Sequence, residues 1–412
     1  MESFGNLIIY IMMAFVVIGA VASIRDDEHG LGKEFKEGLH SIGAIFIPVA
    51  GIMAAIPYLS ALVESVAGPL FDAIGADPAI AATSLIAVDM GGYQLAQETA
   101  ASTGGWIMAT VVGYMAGATI IFTIPVGLAM LHKRDHRYMA LGVMSGVLAI
   151  PIGVLVTTTI LAASSTTVRG EVSADSASDT ALSGLDTGSI LLNLLPLAVF
   201  VVVLAGALWF APKFMIRLFI WFGRILDAAL KLVLAVSIIE HFTGVFSAVF
   251  GGFGFDPIIA DSEDQYRALE VAGNIGIMLA GAFPMVYVLR KGLARPLGAL
   301  GRRVGMSSEG TAGLLAAVAN VLALFRLIRD MPPKDKVLCI AFAVCAAFLV
   351  GDHLAFTANF QPNLILPLLI GKLVGGVLAI ALAVLITKPA VAALAAEEQE
   401  ENPEEDTAPA TK

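Results

Sequence analysis

Apolar residues recur along this chain in runs of twenty or more, from Phe4 to about Thr387, separated by short polar segments. A helix needs about 20 apolar residues to cross the hydrocarbon core of a bilayer. Nine runs meet that length: Phe4–Ile24, Ser41–Val63, Gly105–Leu131, Tyr138–Ala163, Gly188–Ala211, Ile225–Phe250, Ala268–Leu289, Val337–Phe360 and Leu364–Thr387. Two further runs are interrupted, Pro78–Glu98 by Asp89-Met90-Gly91-Gly92-Tyr93 and Glu309–Arg326 by Asn320. Both are expected to be broken or re-entrant, a conformation tolerated at membrane depth only where protein or a wet cavity satisfies the freed backbone.

Composition points the same way. Of 412 residues, 58% are hydrophobic and 14% charged, with a mean hydropathy of +0.86, whereas soluble domains are about a quarter charged. The expected fold class is an all-α polytopic membrane protein with about nine full spans plus two re-entrant elements. The net charge is −10, and Glu397–Lys412 supplies seven acids against one lysine. Residues 388–412 are therefore expected to be a disordered acidic cytoplasmic tail, and the nearly neutral body argues against a nucleic-acid partner. Cys339 and Cys345 are six apart in one apolar run, a spacing that suits neither a disulfide nor a metal, so no metal or cofactor is expected. Ala20-Val21-Ala22 resembles a signal cleavage site, but Glu2 stands where a basic start belongs, and the run reads as an uncleaved first span.

Loop charge sets the topology. His132–Arg137, Pro212–Arg224 and Arg290–Arg303 are basic, and nine spans place all three on one side, which should be cytoplasmic. Ser164–Thr187 and Gly251–Gln265 are acidic and should face outward. A re-entrant Glu309–Arg326 keeps the basic Arg326–Lys336 loop inside as well. Internal matches support a duplication. Pro57 and Pro69-Leu70 recur as Pro284 and Pro296-Leu297, Gly146-Val-Leu-Ala-Ile150 recurs as Gly376-Val-Leu-Ala-Ile380, and Gly117 with Thr123 matches Gly351 with Thr357. With nine spans the copies run in opposite senses. The expected organisation is a first repeat at 1–163, an acidic loop, connector span and basic segment at 164–224, a second inverted repeat at 225–387, and the tail. Inverted repeats with broken elements in corresponding places are a signature of secondary transporters, with the substrate site near the midplane.

A charge in the hydrocarbon region costs about 2.5–3.5 kcal/mol even on lenient scales, so each must face a partner or a wet cavity. Asp89, before two glycines, is a candidate for a cation or substrate ammonium; alternatively it caps a helix or pairs with Lys372. Asp352-His353 interrupts the Val337–Phe360 run, with Thr357 one turn on and Thr123 as its repeat counterpart. The expectation is cation binding by Asp352 with His353 as hydrogen-bond partner or proton acceptor; a self-satisfied Asp–His pair is the alternative. Asn320, near the repeat equivalent of Asp89, is expected to contact substrate. Gln94, Glu98, Asn359 and Gln361 either line an entrance or end spans, and Tyr93, Trp106 and Tyr114 offer faces for a cation or anchor an interface. Glu240-His241 and the Asp227/Lys231 pair read as structural.

No G-x-S-x-G, H-E-x-x-H or phosphate-binding loop sequence occurs. A membrane-embedded hydrolase built on Asp352-His353, or a transporter of another small polar metabolite, remains the competing reading. The stretches Phe46-Ile-Pro-Val-Ala-Gly-Ile-Met-Ala-Ala-Ile-Pro57, Ala87-Val-Asp-Met-Gly-Gly-Tyr93 and Gly351-Asp-His-Leu-Ala-Phe-Thr357 resemble the bacterial EutH family of ethanolamine permeases, over residues 4 to 387. The resemblance implies import of ethanolamine across the bacterial inner membrane by a multi-pass protein that is not an enzyme, with the lipid bilayer as its surroundings and a homo-oligomer compatible with it. It carries no residue-by-residue assignment. From the residues themselves, the expected substrate-binding set is Asp89, Asp352, His353, Thr123, Thr357, Asn320, Gln94 and Tyr93, carboxylates for the ammonium and hydroxyl or amide groups for the alcohol.

Overall fold

The structure, a computed structural model, describes residues 1–303 and 305–401. It is almost wholly helical: α1 (Glu2–Arg25), α2 (Gly30–Ala54), α3 (Ile56–Val66), α4 (Gly68–Ile74), α5 (Ala79–Leu85), α6 (Gly92–Thr99), α7 (Thr103–Val112), α8 (Ile124–Met130), α9 (His136–Val147), α10 (Ile150–Ala163), α11 (Thr187–Phe210), α12 (Pro212–Thr243), α13 (Val245–Phe250), α14 (Ala268–Arg303), α15 (Ser308–Ala319), α16 (Val321–Ile328), α17 (Pro333–Ala346), α18 (Asp352–Phe360) and α19 (Ile365–Glu401). A π-helical stretch, Gly113–Thr123, joins α7 to α8. Two short strands, β1 (Thr167–Val168) and β2 (Thr180–Ala181), pair antiparallel in the loop after α10.

Among the described residues, seven helical segments are long and apolar enough to cross a membrane: Glu2–Arg25, Gly30–Ala54, Thr103–Met130, Lys133–Ala163, Thr187–Phe210, Ala268–Pro296 and Pro362–Glu398. The chain is thus an all-α, multi-pass membrane protein. Three expected spans differ. The Ser41–Val63 run is shifted toward the N-terminus, because helix extends back to Gly30 and stops at Ala54, just before Pro57. Ile225–Phe250 belongs to the longer α12, which carries Arg224, Asp227, Lys231 and Glu240 and ends at Gly244 (φ +61°). Val337–Phe360 is not continuous, since the chain leaves the helix after Ala346 and re-enters at Asp352. That break is held from outside its own segment: Phe348 N–H donates to Ala317 O and Val350 N–H to Val318 O, both at 3.1 Å. The last carbonyls of α15, which a helix end leaves without partners, are thereby satisfied. At the C-terminus, residues 388–401 of the expected disordered tail are helical and Arg137 pairs with Glu397; residues 402–412 lie outside the described residues.

Helices α2 and α14 run antiparallel in close contact. Gly30 lies beside Tyr287, Gly38 beside Leu279 and Ala280, and Gly276 beside Ile42, and a Cβ at Gly38 would come within 2.6 Å of three α14 backbone atoms. Glycine is what allows two backbones this near. Helices α1 and α12 flank this pair, while α9, α10, α17 and α19 pack together in a second group.

Between the groups lie two helical hairpins, α5 with α6 and α15 with α16. Each enters and leaves at one end of the molecule, pinned there by one carboxylate. Asp77, at the entry to α5, accepts from Ala79 N–H and, through its other oxygen, from Ala101 N–H past the end of α6, both at 3.0 Å. Asp335, just past the exit from α16, accepts from Ser307 N–H at the entry to α15 (2.7 Å). The basic segments meet at the second of these ends: buried Lys336 donates to buried Asp135 at 2.6 Å, and Lys334 to Gly305 O at 3.0 Å. The acidic loops meet at the other, where Gly104 N–H donates to Ser183 O and Asp256 N–H to Ala54 O.

Candidate functional site

The tip of the first hairpin is made by its sequence. Helix α5 ends at Ile86 and Ala87, both extended, and Val88–Met90 form a single 3-10 turn. Gly91 takes φ +93°, a region that only glycine occupies at no steric cost, and a Cβ there would also strike Ile52 at 2.7 Å. The extended segment rests on the π-helical stretch at Gly117, where a Cβ would lie 2.2 Å from Ile86 O. At the second tip Asn320 is extended, and its Oδ1 caps α16 by accepting from Leu322 N–H at 2.8 Å. There, Gly351 in the break after α17 makes room for Ala319 O, which a Cβ would meet at 2.1 Å. In both halves, then, a glycine seats the last carbonyl before a hairpin tip.

Both tips open onto one cavity of 410 Å³. Asp89, Asp352, His353 and Asn320 line it, together with Glu37 and His40 of α2. Asp89 projects from the 3-10 turn and Asp352 from the first turn of α18, and both are partly exposed to the cavity. Neither takes part in any of the ion pairs among the described residues. Two carboxylates facing one cavity are an arrangement that can hold a ligand cation.

His353 is held from behind. Lys372, 1% exposed in α19, donates to His353 Nδ1 at 2.9 Å and to Tyr114 O at 2.8 Å. With lysine as the donor, Nδ1 accepts and the ring proton sits on Nε2. Neither alternative pairing, His353 with Asp352 or Lys372 with Asp89, is among the hydrogen bonds and ion pairs of the described residues; Lys372 contacts His353 instead. Thr357 donates to His353 O and shares a hydrogen bond with Tyr114 OH, both at 2.6 Å. The Tyr114 and His353 rings lie 4.9 Å apart between centroids. This network ties the π-helical stretch to α18 and α19.

Other expected site residues lie elsewhere. Thr123 and Thr357 are buried and do not line the cavity, so the symmetric placement expected of them is not seen; the break after α17 has no counterpart in the continuous α7–α8 segment. Tyr93 packs among Trp106, Phe356 and Phe360, accepts from Trp106 Nε1 through its carbonyl, and accepts from Gln361 Nε2 through its hydroxyl. Gln94 and Glu98 line a second cavity toward the acidic end, and Asn359 is buried. Glu240 caps α13, and Asp227 and Lys231 pair on the exposed face of α12.

Glu37 and His40, which lie outside the apolar runs Phe4–Ile24 and Ser41–Val63, also line the cavity because α2 begins at Gly30, and Ser41 at the start of the second run joins them. Their signal was present: 37, 40, 41, 44, 45 and 48 follow the spacing of one helical face, and these six residues are the α2 wall of the cavity.

Residues 4–386 match the family described as "Ethanolamine utilisation protein, EutH". A Listeria monocytogenes protein named probable ethanolamine permease EutH is 36% identical over 383 residues, covering 93% of this chain and 94% of the relative. An Escherichia coli K12 protein of the same name is 34% identical over 402 residues, covering 93% and 95%. A Bacillus subtilis protein, YxeR, named as uncharacterised, is also 34% identical, over 384 residues and the same shares. No solved structure matches. With the family match running through nearly all of the described helices, the chain belongs to the EutH family of ethanolamine utilisation proteins.

Proposed function

We propose that this protein is a transporter that imports ethanolamine across the bacterial inner membrane, by alternating access between two inverted repeats around the 410 Å³ cavity. The observation that carries the reading is the convergence of two carboxylates, Asp89 and Asp352, neither with an ion-pair partner among the described residues, from opposite halves of the chain. Ethanolamine is a primary ammonium with one hydroxyl. The carboxylates take the ammonium, and the Asn320 Nδ2 group, left free when Oδ1 caps α16, donates to the hydroxyl. His353, oriented by Lys372, offers a second donor. The names of the relatives support ethanolamine as the cargo.

Several contacts support inverted repeats with re-entrant hairpins. Gly117 under Ile86 O and Gly351 under Ala319 O are equivalent at nearly the offset found in the sequence. The carboxylates of Asp77 and Asp335 pin the hairpins at opposite ends, and the Lys336–Asp135 pair keeps two basic loops together, as a cytoplasmic face requires. Helix α2 enters at that end, and Glu37 and His40 lie in its N-terminal half, so the cavity opens toward the cytoplasm.

The test is uptake of labelled ethanolamine into proteoliposomes, with and without an imposed pH gradient and against choline and alanine as competitors. Saturable uptake that ethanolamine competes for and alanine does not is the expected result; stimulation by the gradient assigns proton coupling, and indifference to it assigns facilitated diffusion. Absence of uptake in vesicles of verified protein content overturns the reading.

A further inference from the structure

The second cavity, of 330 Å³, lies at the acidic end, beyond the turn Gly91-Gly92-Tyr93. Met90 lines the central cavity and Gln94 the second one, so these three residues, with Ile52 and Met53 packed on Gly91, are the partition between them. Glu98, Glu171, Asp256 and Asp264 face this space with a single base, Arg267. Arg267 is engaged by Asp261 at 3.2 Å and Asp264 at 3.6 Å, leaving Glu98, Glu171 and Asp256 outside the ion pairs among the described residues. An independent observation points to a ligand. Gln94 is 8% exposed, lines the cavity, and has no hydrogen-bond partner for either its amide oxygen or its nitrogen among the described residues. Buried amides are normally paired.

We propose that this cavity is a capture site for small primary ammonium ions, with Glu98, Glu171 and Asp256 supplying charge and the Gln94 carbonyl accepting one N–H. Its identification with the cargo rests on the transport reading above; its chemistry does not. A cleft lined by one sign of charge raises the local concentration of the opposite ion. A primary ammonium suits such a lining, because its three N–H donors can be shared between the separate carboxylates and the Gln94 carbonyl. Burial raises the Asp256 carboxyl above its ordinary value; Arg267 opposes this, and Glu98 and Asp264 add to it, as expected of acids that face one another.

The experiment is equilibrium binding of labelled ethanolamine and labelled methylammonium to the full chain in nanodiscs. The D89N/D352N variant, which disables the central site, should still bind one methylammonium per chain, and adding Q94L and D256N should abolish that binding. Because Q94L alters a buried position, E98Q/D256N serves as a second variant and should weaken the site at least tenfold with unfolding temperature unchanged. Retained binding in both outer variants overturns the proposal, as does loss of all binding in D89N/D352N or binding of calcium in place of either ammonium. Methylammonium binding at this site with no ethanolamine uptake would sink the transport reading and leave the capture site standing.

Discussion

The two hairpins share a construction and differ at the tip. Each is pinned at its base by an aspartate whose oxygens accept backbone N–H groups, Asp77 in one and Asp335 in the other. At the first tip stands Asp89, facing a cavity; at the second stands Asn320, whose oxygen is spent on its own helix. The second carboxylate of the cavity comes instead from the break after α17, at Asp352. Contact with backbone N–H groups, rather than residue type, distinguishes Asp77 and Asp335 from Asp89 and Asp352. A carboxylate tied to backbone N–H groups at the base of a hairpin has a local structural partner, while one that faces a cavity with no ion pair among the described residues is open to a ligand.

That comparison breaks first on charge. Asp89→Asn together with Asp352→Asn should lower ethanolamine uptake by two orders of magnitude or more, since each charge-assisted bond is worth roughly 1.5–3 kcal/mol. Unfolding temperature should hold or rise, because an uncompensated carboxylate has been neutralised. The base aspartates should behave in the opposite sense. Asp77→Ala strands two backbone N–H groups and should destabilise the protein by about 2–4 kcal/mol, read as a fall in unfolding temperature in detergent. If Asp77→Ala unfolds at the wild-type temperature, or the double asparagine variant unfolds well below it, the division between scaffold and binding acids is wrong.

Finer changes sharpen the contrast between the tips. Gly91→Ala forces a side chain into a left-handed φ and against Ile52, at a cost of about 1–2 kcal/mol, and should slow uptake more than any comparable change beside Asn320. Asn320→Ala should raise KM for ethanolamine about tenfold, in line with loss of one hydrogen bond, yet leave inhibition by ethylamine, which has no hydroxyl, nearly unchanged. The smallest effect concerns pH. Because the Asp256 carboxyl is raised from its ordinary value, it gains its proton earlier than a free aspartate as the medium is acidified. Capture at the outer cavity should therefore weaken as pH falls, beginning earlier than for a free aspartate, and Asp256→Asn should flatten that part of the profile in a binding titration.

Much of this was legible because membrane burial makes polarity expensive. Asp89, Asp352, His353 and Asn320 stood out as polar interruptions in apolar runs, and the structure brings these four to one cavity. The helix break before Asp352 was not legible. Ala347-Phe-Leu-Val350 is as apolar as its flanks, and what opens the helix is a long-range pairing of Phe348 and Val350 with the end of α15. Thr123 and Thr357 do not line this cavity for a related reason: the break after α17 has no counterpart in the α7–α8 segment, so the two positions are not placed symmetrically. Glu37 and His40 were hidden by a misplaced helix start, although their spacing marked one face.

The most direct measurement of the central claim is ethanolamine uptake by Asp89→Asn and Asp352→Asn, singly and together, in proteoliposomes matched for protein content. The account predicts that each single variant loses at least tenfold and that the double variant falls to the level of empty vesicles. Wild-type uptake in the double variant would contradict it, and would place the ammonium somewhere other than the cavity between the two tips.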